Sequence, residues 1–157
     1  MRLVSFVFVL AVSASAQINL NIQTFGMVGI AEGQTARLNV LNVGVQAPAL
    51  GVQCSAALSF LDDQGAVLKT ATVTVIPGRS ASLDLDADTD LKLSTNQRLQ
   101  IRATIQIPPA VSSSAQPVSS CPLTPTLEIF DRFKGKTSVV MVNTTPVPQI
   151  LRPTVHP

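Results

Sequence analysis

The sequence predicts an all-β fold, an antiparallel sandwich of about seven to nine short strands held by one disulfide. The first observation is alternation: Val52, Cys54, Ala56, Leu58 and Phe60 interleave with Gln53, Ser55, Ala57 and Ser59. A period of two sends one face of a strand into a core. The second is punctuation, because turn residues separate such runs at roughly ten to fifteen positions and helical spacing of apolar residues is missing after the N-terminal stretch. The third is the pair of cysteines, far apart in the chain and each on the apolar face of its own run.

The chain opens MRLVSFVFVLAVSASAQ. A basic Arg2, an apolar block from Leu3 to Val12 and the small residues Ala14-Ser15-Ala16 are the three parts of a secretory signal peptide, with cleavage expected after Ala16. The apolar block of about ten residues is half of what a membrane span needs. No cysteine follows the cleavage point to take a lipid, and no later segment is apolar enough to span a bilayer. The expected division is a signal peptide at 1–16, a β-sandwich domain at 17–143 and a Pro-rich disordered tail at 144–157, with the product secreted or periplasmic. Removal of Arg2 takes the eleven Lys and Arg to ten, against nine Asp and Glu. A mature charge near +1, with basic residues scattered apart from Arg132, Lys134 and Lys136, argues against nucleic acid and against an anionic membrane surface. That basic trio reads as a solvated turn.

The elements follow in order. Ile18, Leu20 and Ile22 alternate with Asn19, Asn21 and Gln23, marking a first strand within Gln17 to Val28, and Ala31 to Gln34 supplies a turn. Thr35 to Val43 is a second strand with Ala36, Leu38 and Val40 inward. After a loop containing Pro48, the run from Val52 forms a long hairpin with the run ending Thr72-Val73-Thr74-Val75. Asp62-Asp63-Gln64-Gly65 makes its turn, with Gly65 able to take positive φ. Pro77-Gly78 precedes a strand with Leu83, Leu85 and Ala87 on one face, and Leu91 and Leu93 belong to an irregular connection. Arg98 to Ile107 has the cleanest alternation and is expected to be a central strand solvated on one face. Pro108 to Ser120, with three prolines and five serines, is a loop open to proteolysis. Leu123 to Asp131 and Thr137 to Asn143 close the set as a second hairpin around Gly135.

Two cysteines in an exported chain imply one disulfide, and inward parity places Cys54 and Cys121 on facing layers. A bridge closing about 67 residues stabilises by roughly 4 kcal/mol in the chain-entropy model. The alternative is two separate buried thiols. The segment GVQCSAALSFLDDQGAVLKTATVTVIPGRSASLDL, residues 51–85, resembles the immunoglobulin-like modules of secreted bacterial proteins. There a strand, a D-x-x-G turn, a VTV strand and a Pro-Gly-x-Ser turn precede a strand with an acidic polar face. The resemblance covers most of residues 35–143 and implies an immunoglobulin-like architecture. It departs from antibody domains in having no Trp against the bridge and no Tyr for a tyrosine corner.

Chemistry-bearing groups are few. Asp84, Asp86, Asp88 and Asp90 alternate in DLDADTD, and acids at positions 1, 3, 5 and 7 are the pattern of a calcium loop. Thr89 stands where such a loop has Gly and Thr95 where it has Glu, so an acidic, solvated strand edge is the competing reading. If calcium binds, Asp86, Asp88 and Asp90 are its ligands, helped by Asp62 or Asp63; no other cofactor is expected. The single His, His156, lies in the tail with nothing to orient it against a nucleophile, and Glu32 and Glu128 make no facing acid pair. No phosphate loop, CxxC or HExxH occurs. Without Trp or Tyr a sugar-stacking surface is disfavoured. Phe60 reads as core, whereas Phe130 and Phe133 flank a turn, where the alternatives are simple packing under the hairpin and a small exposed apolar patch for a partner. Asn143-Thr144-Thr145 matches a glycosylation sequon. The expectation is therefore a non-enzymatic exported protein that contacts another protein through a sheet edge or loops. A fibre subunit donating its Ile18-Leu20-Ile22 strand and a calcium-dependent binding module are the alternatives.

Overall fold

The computed structural model describes residues 21–44, 53–108 and 121–142. The expected signal peptide, the expected tail with His156, Asn143 and nearly all of the 108–120 loop lie outside the described residues. Nine strands occur among those described: β1 (Asn21–Thr24), β2 (Val28–Ala31), β3 (Gln34–Asn42), β4 (Cys54–Asp62), β5 (Val67–Val75), β6 (Ser80–Asp86), β7 (Arg98–Ile107), β8 (Leu123–Asp131) and β9 (Thr137–Val142). Every pairing is antiparallel. One sheet runs β1-β7-β4-β5, with β2 also on β7, and the other runs β6-β3-β8-β9.

The inner faces of both sheets share one core. Alternation places Ala56, Leu58 and Phe60 of β4, Ile101 and Ala103 of β7, Leu38 and Val40 of β3 and Leu127 of β8 there, each fully buried. Burying a large apolar side chain stabilises by about 1.5–3 kcal/mol, so these positions fix which face of each strand turns inward. A slip of one residue would expose the whole set.

Both expected hairpins form. In β4–β5 the Asp62 carboxylate accepts from Gln64 N at 3.0 Å and Ala66 N at 2.7 Å, and Gly65 has φ +88°. In β8–β9 the Asp131 carboxylate accepts from Phe133 N at 2.9 Å and Lys134 N at 2.8 Å. Those amide donors hold the exposed Asp131 carboxyl below its ordinary value. Pro125, inside β8, lies opposite Val40 of β3, one residue beyond Thr126, where the β8–β9 pairing ends among the described residues.

The first strand differs from expectation. It is broken into β1 and β2, both on β7, and the register moves by one residue between Thr24↔Thr104 and Val28↔Ile101. The extra residue at Phe25–Met27 is a bulge. It keeps Phe25, Val28 and Ile30 in the core but turns Gln23 inward and leaves Ile22 55% exposed. Buried Gln23 has no donor for its Oε1 among the described residues. Ile18 and Leu20 lie outside those residues.

Candidate functional site

The two cysteines are joined. Cys54, at the start of β4, bonds Cys121, just before β8, with Cα atoms 5.5 Å apart. The bridge therefore ties one sheet to the other. Around the same end, Asn42 is fully buried at the close of β3. Its Nδ2 donates to Val75 O at 2.9 Å, and its Oδ1 accepts from Gly44 N at 3.0 Å. Its main-chain oxygen also accepts from Gly78 N at 2.8 Å. One residue, through its side chain and its main-chain oxygen, thus satisfies polar groups from three segments.

The acidic run lies at the opposite end, where β6 stops and turns. Asp86 Oδ1 accepts from Asp88 N and Thr89 N, both at 2.9 Å, which ends the strand. Its Oδ2 accepts from Arg132 Nη1 at 2.9 Å and from Thr35 Oγ1 at 3.2 Å. Asp88 accepts from Gly33 N at 2.8 Å and pairs with Arg132. Asp90 Oδ2 accepts from Lys69 Nζ at 2.6 Å and from Asp86 N at 2.9 Å. Asp84 holds Arg37 through two 2.7 Å bonds.

Partial burial pushes the Asp86 carboxyl up, yet the Thr89 and Asp88 amides with the Arg132 charge outweigh it and leave it below the ordinary value. Asp90 follows the same pattern, with burial opposed by the Asp86 amide and Lys69. The Arg37 guanidinium is raised, chiefly by its hydrogen bonds to Asp84.

The structure brings Asp86, Asp88 and Asp90 into one turn, but Arg132 and Lys69 occupy the positions a cation would take beside them. Among the described residues no three acids, cysteines or histidines converge to hold a metal. Asp62 is engaged in its own hairpin turn. Arg132, expected in a solvated turn, instead clamps β8–β9 to the end of β6. A surface hollow of about 360 Å³ between Arg37, Lys69, Asp86, Asp90, Phe130 and Arg132 is thus walled by charges already paired with one another.

Phe130 and Phe133 each stack on a different arginine. Arg37 Cζ lies 5.1 Å from the Phe130 ring and Arg132 Cζ 5.0 Å from Phe133. Phe130 is half-buried and Phe133 is 77% exposed. Only Phe133 offers an apolar surface at the turn.

The feature that sequence reasoning did not single out is β9. Its inner residues Val139 and Met141 pack on the core, while Val140 is 62% and Val142 56% exposed. Among the described residues it pairs with β8 alone. No charge falls between Thr137 and Val142. Beside it runs the β1–β2 edge, with hollows of about 240 and 320 Å³ along the seam, the first walled by Gly29, Arg98 and Val139, the second by Phe25, Gly26 and Met141. The visible signal in the sequence was Val139-Val140-Met141-Val142, apolar at both parities in a strand that ends the sheet.

Compared with protein-family models, curated proteins and solved structures, the chain matches none of them. Among the described residues no helix is long and apolar enough to cross a membrane.

Proposed function

We propose that this chain is an exported, non-enzymatic β-sandwich of immunoglobulin-like type that acts at the cell surface or in the periplasm by contacting another protein through a sheet edge. The observation that carries the reading is β9: an uncharged strand with an open side among the described residues and two exposed valines. An open strand edge recruits an extended strand by main-chain hydrogen bonds, and proteins that avoid this place charges or proline on the edge. A disulfide between layers fits an oxidising compartment, and the basic, apolar and small-residue order of the first sixteen positions fits an export signal. The groups able to do chemistry, the Asp84–Asp90 run and its arginines, are spent on one another, which favours contact over catalysis.

The test is a photo-crosslinking residue at position 140, expressed in cells that export the protein. Adducts through position 140, and none from the same probe at Thr72 on the outer face of β5, are expected. Equal labelling from both positions would defeat the reading.

A further inference from the structure

We infer that β9 is the self-association edge of this protein, pairing antiparallel with β9 of a second copy about a two-fold axis at Val140; this rests on the reading of β9 as a contact edge. The two flanks of the molecule are built differently. On one, the edges β5 and β6 carry Lys69, Asp84 and Asp86, and the Lys69–Asp90 pair at 2.6 Å joins the sheets. Charges on an edge oppose edge-to-edge association. On the other, β9 presents an unbroken apolar run from Val139 to Val142, and no residue from Thr137 to Val142 carries a charge.

The pattern of β9 defines its occupant. Val139 and Met141 face inward and Val140 and Val142 outward, so an added strand must be apolar on both faces. A second copy of β9 meets that condition. Because opposed residues in an antiparallel pair share a face, the two-fold must pass through a residue and not between two. At Val140 the overlap spans 138–142. Outward, Val140 then faces its own copy and Ser138 faces Val142 of the other; inward, Val139 faces Met141. The same axis carries the two Lys136 residues to opposite ends, about 26 Å apart at about 3.3 Å per residue, well past the roughly 8 Å screening length of physiological salt. No like charges meet across the edge. Each four-stranded sheet would continue into its partner as one sheet of eight, an isologous contact that closes and does not propagate.

Light scattering on the exported protein at high micromolar concentration should give twice the chain mass. Val140→Lys and Val142→Lys should each give the single-chain mass, and at dilutions where the parent is also a single chain their melting curves should match its own, since both side chains are exposed. The natural cysteines are bridged and none is free, so added cysteines report cleanly. Val140→Cys should oxidise to a covalent dimer, and Ser138→Cys, several residues from its own copy, should not. A single-chain mass for the unaltered protein, or equal crosslinking at 138 and 140, overturns the proposal. If the photo-probe at 140 instead captures a different protein, self-pairing falls and the contact reading stands. If it captures neither, both fall.

Discussion

Asn42 sits on the face of β3 that Ala36, Leu38 and Val40 send into the core, and it is buried there without being apolar. The parity that placed its neighbours inside also placed it, but the alternation of apolar residues gave no sign that an amide belonged at the end of the series. Its partners Val75 and Gly44 explain it. Asn42→Leu leaves a buried carbonyl and an amide without partners, each costing about 1–3 kcal/mol. Chemical denaturation should show that loss, and a variant as stable as the parent would refute the role assigned here. Asp86 and Asp90 carry a second residue-scale prediction. Both carboxyls lie below the ordinary value of 3.8 when folded. A depressed folded value means their contribution is complete above the unfolded value and drains away as pH falls through the folded one. The melting temperature should therefore drop below about pH 4, and Asp86→Asn should flatten that slope; parallel curves for the two proteins would contradict it. The acidic run was legible as a feature, but its partners were not. Lys69 and Arg132 stand 21 and 44 positions from the acids they hold, a distance along the chain that only the fold removes.

Strands with one clean buried face were readable from the chain: β4, β6, β7 and β8 fall where their alternation put them, and both hairpins carry the turn chemistry that marked them. The β1–β2 segment was not, because the pattern of its first residues conflicts with the register that β7 imposes. Pairing Ile22 with Gln106 and Gln23 with Ile105 lets the long central strand decide which side is inside. A one-residue bulge then restores the phase for Val28 and Ile30. Local alternation yields here to the larger burial gained through Phe25 and β2. Two glycines in this neighbourhood separate backbone need from crowding. Gly33, in the β2–β3 turn, has φ +75°, and a Cβ there would lie 3.3 Å from the Phe133 ring. Its amide also donates to Asp88. Gly33→Ala should cost about 1 kcal/mol or more. At Gly29 the three atoms nearest an added Cβ all belong to the guanidinium end of Arg98, which can swing aside, so Gly29→Ala should stay within about 0.5 kcal/mol. Thermal melts of the pair compare the two directly, and equal losses would undo the distinction.

The molecule is fastened at two ends by unlike means. Along β4, Cys54 and Phe60 are six residues apart, about 20 Å at strand spacing. The disulfide and Asn42 lie at the first end, and the Asp86, Arg132 and Lys69 cluster at the second, where Lys69 sits opposite Phe60 in the β4–β5 register. Cys54→Ser should lower stability by roughly 4 kcal/mol in the chain-entropy model, and reductant should bring the parent protein to the same melting temperature. A parent curve indifferent to reductant would remove the bridge from the account. The all-β class, the antiparallel pairing and the bridge were all open to inference from alternation and from two cysteines on inward faces. The layout of the edges was not, since which strand ends a sheet depends on pairings such as β3 with β8 that join segments far apart in the chain. The separation of the two fastenings gives unfolding a direction. Acid loosens one pole and thiols the other, so the first frayed form to appear under each stress should be a different molecule, gaping at opposite mouths.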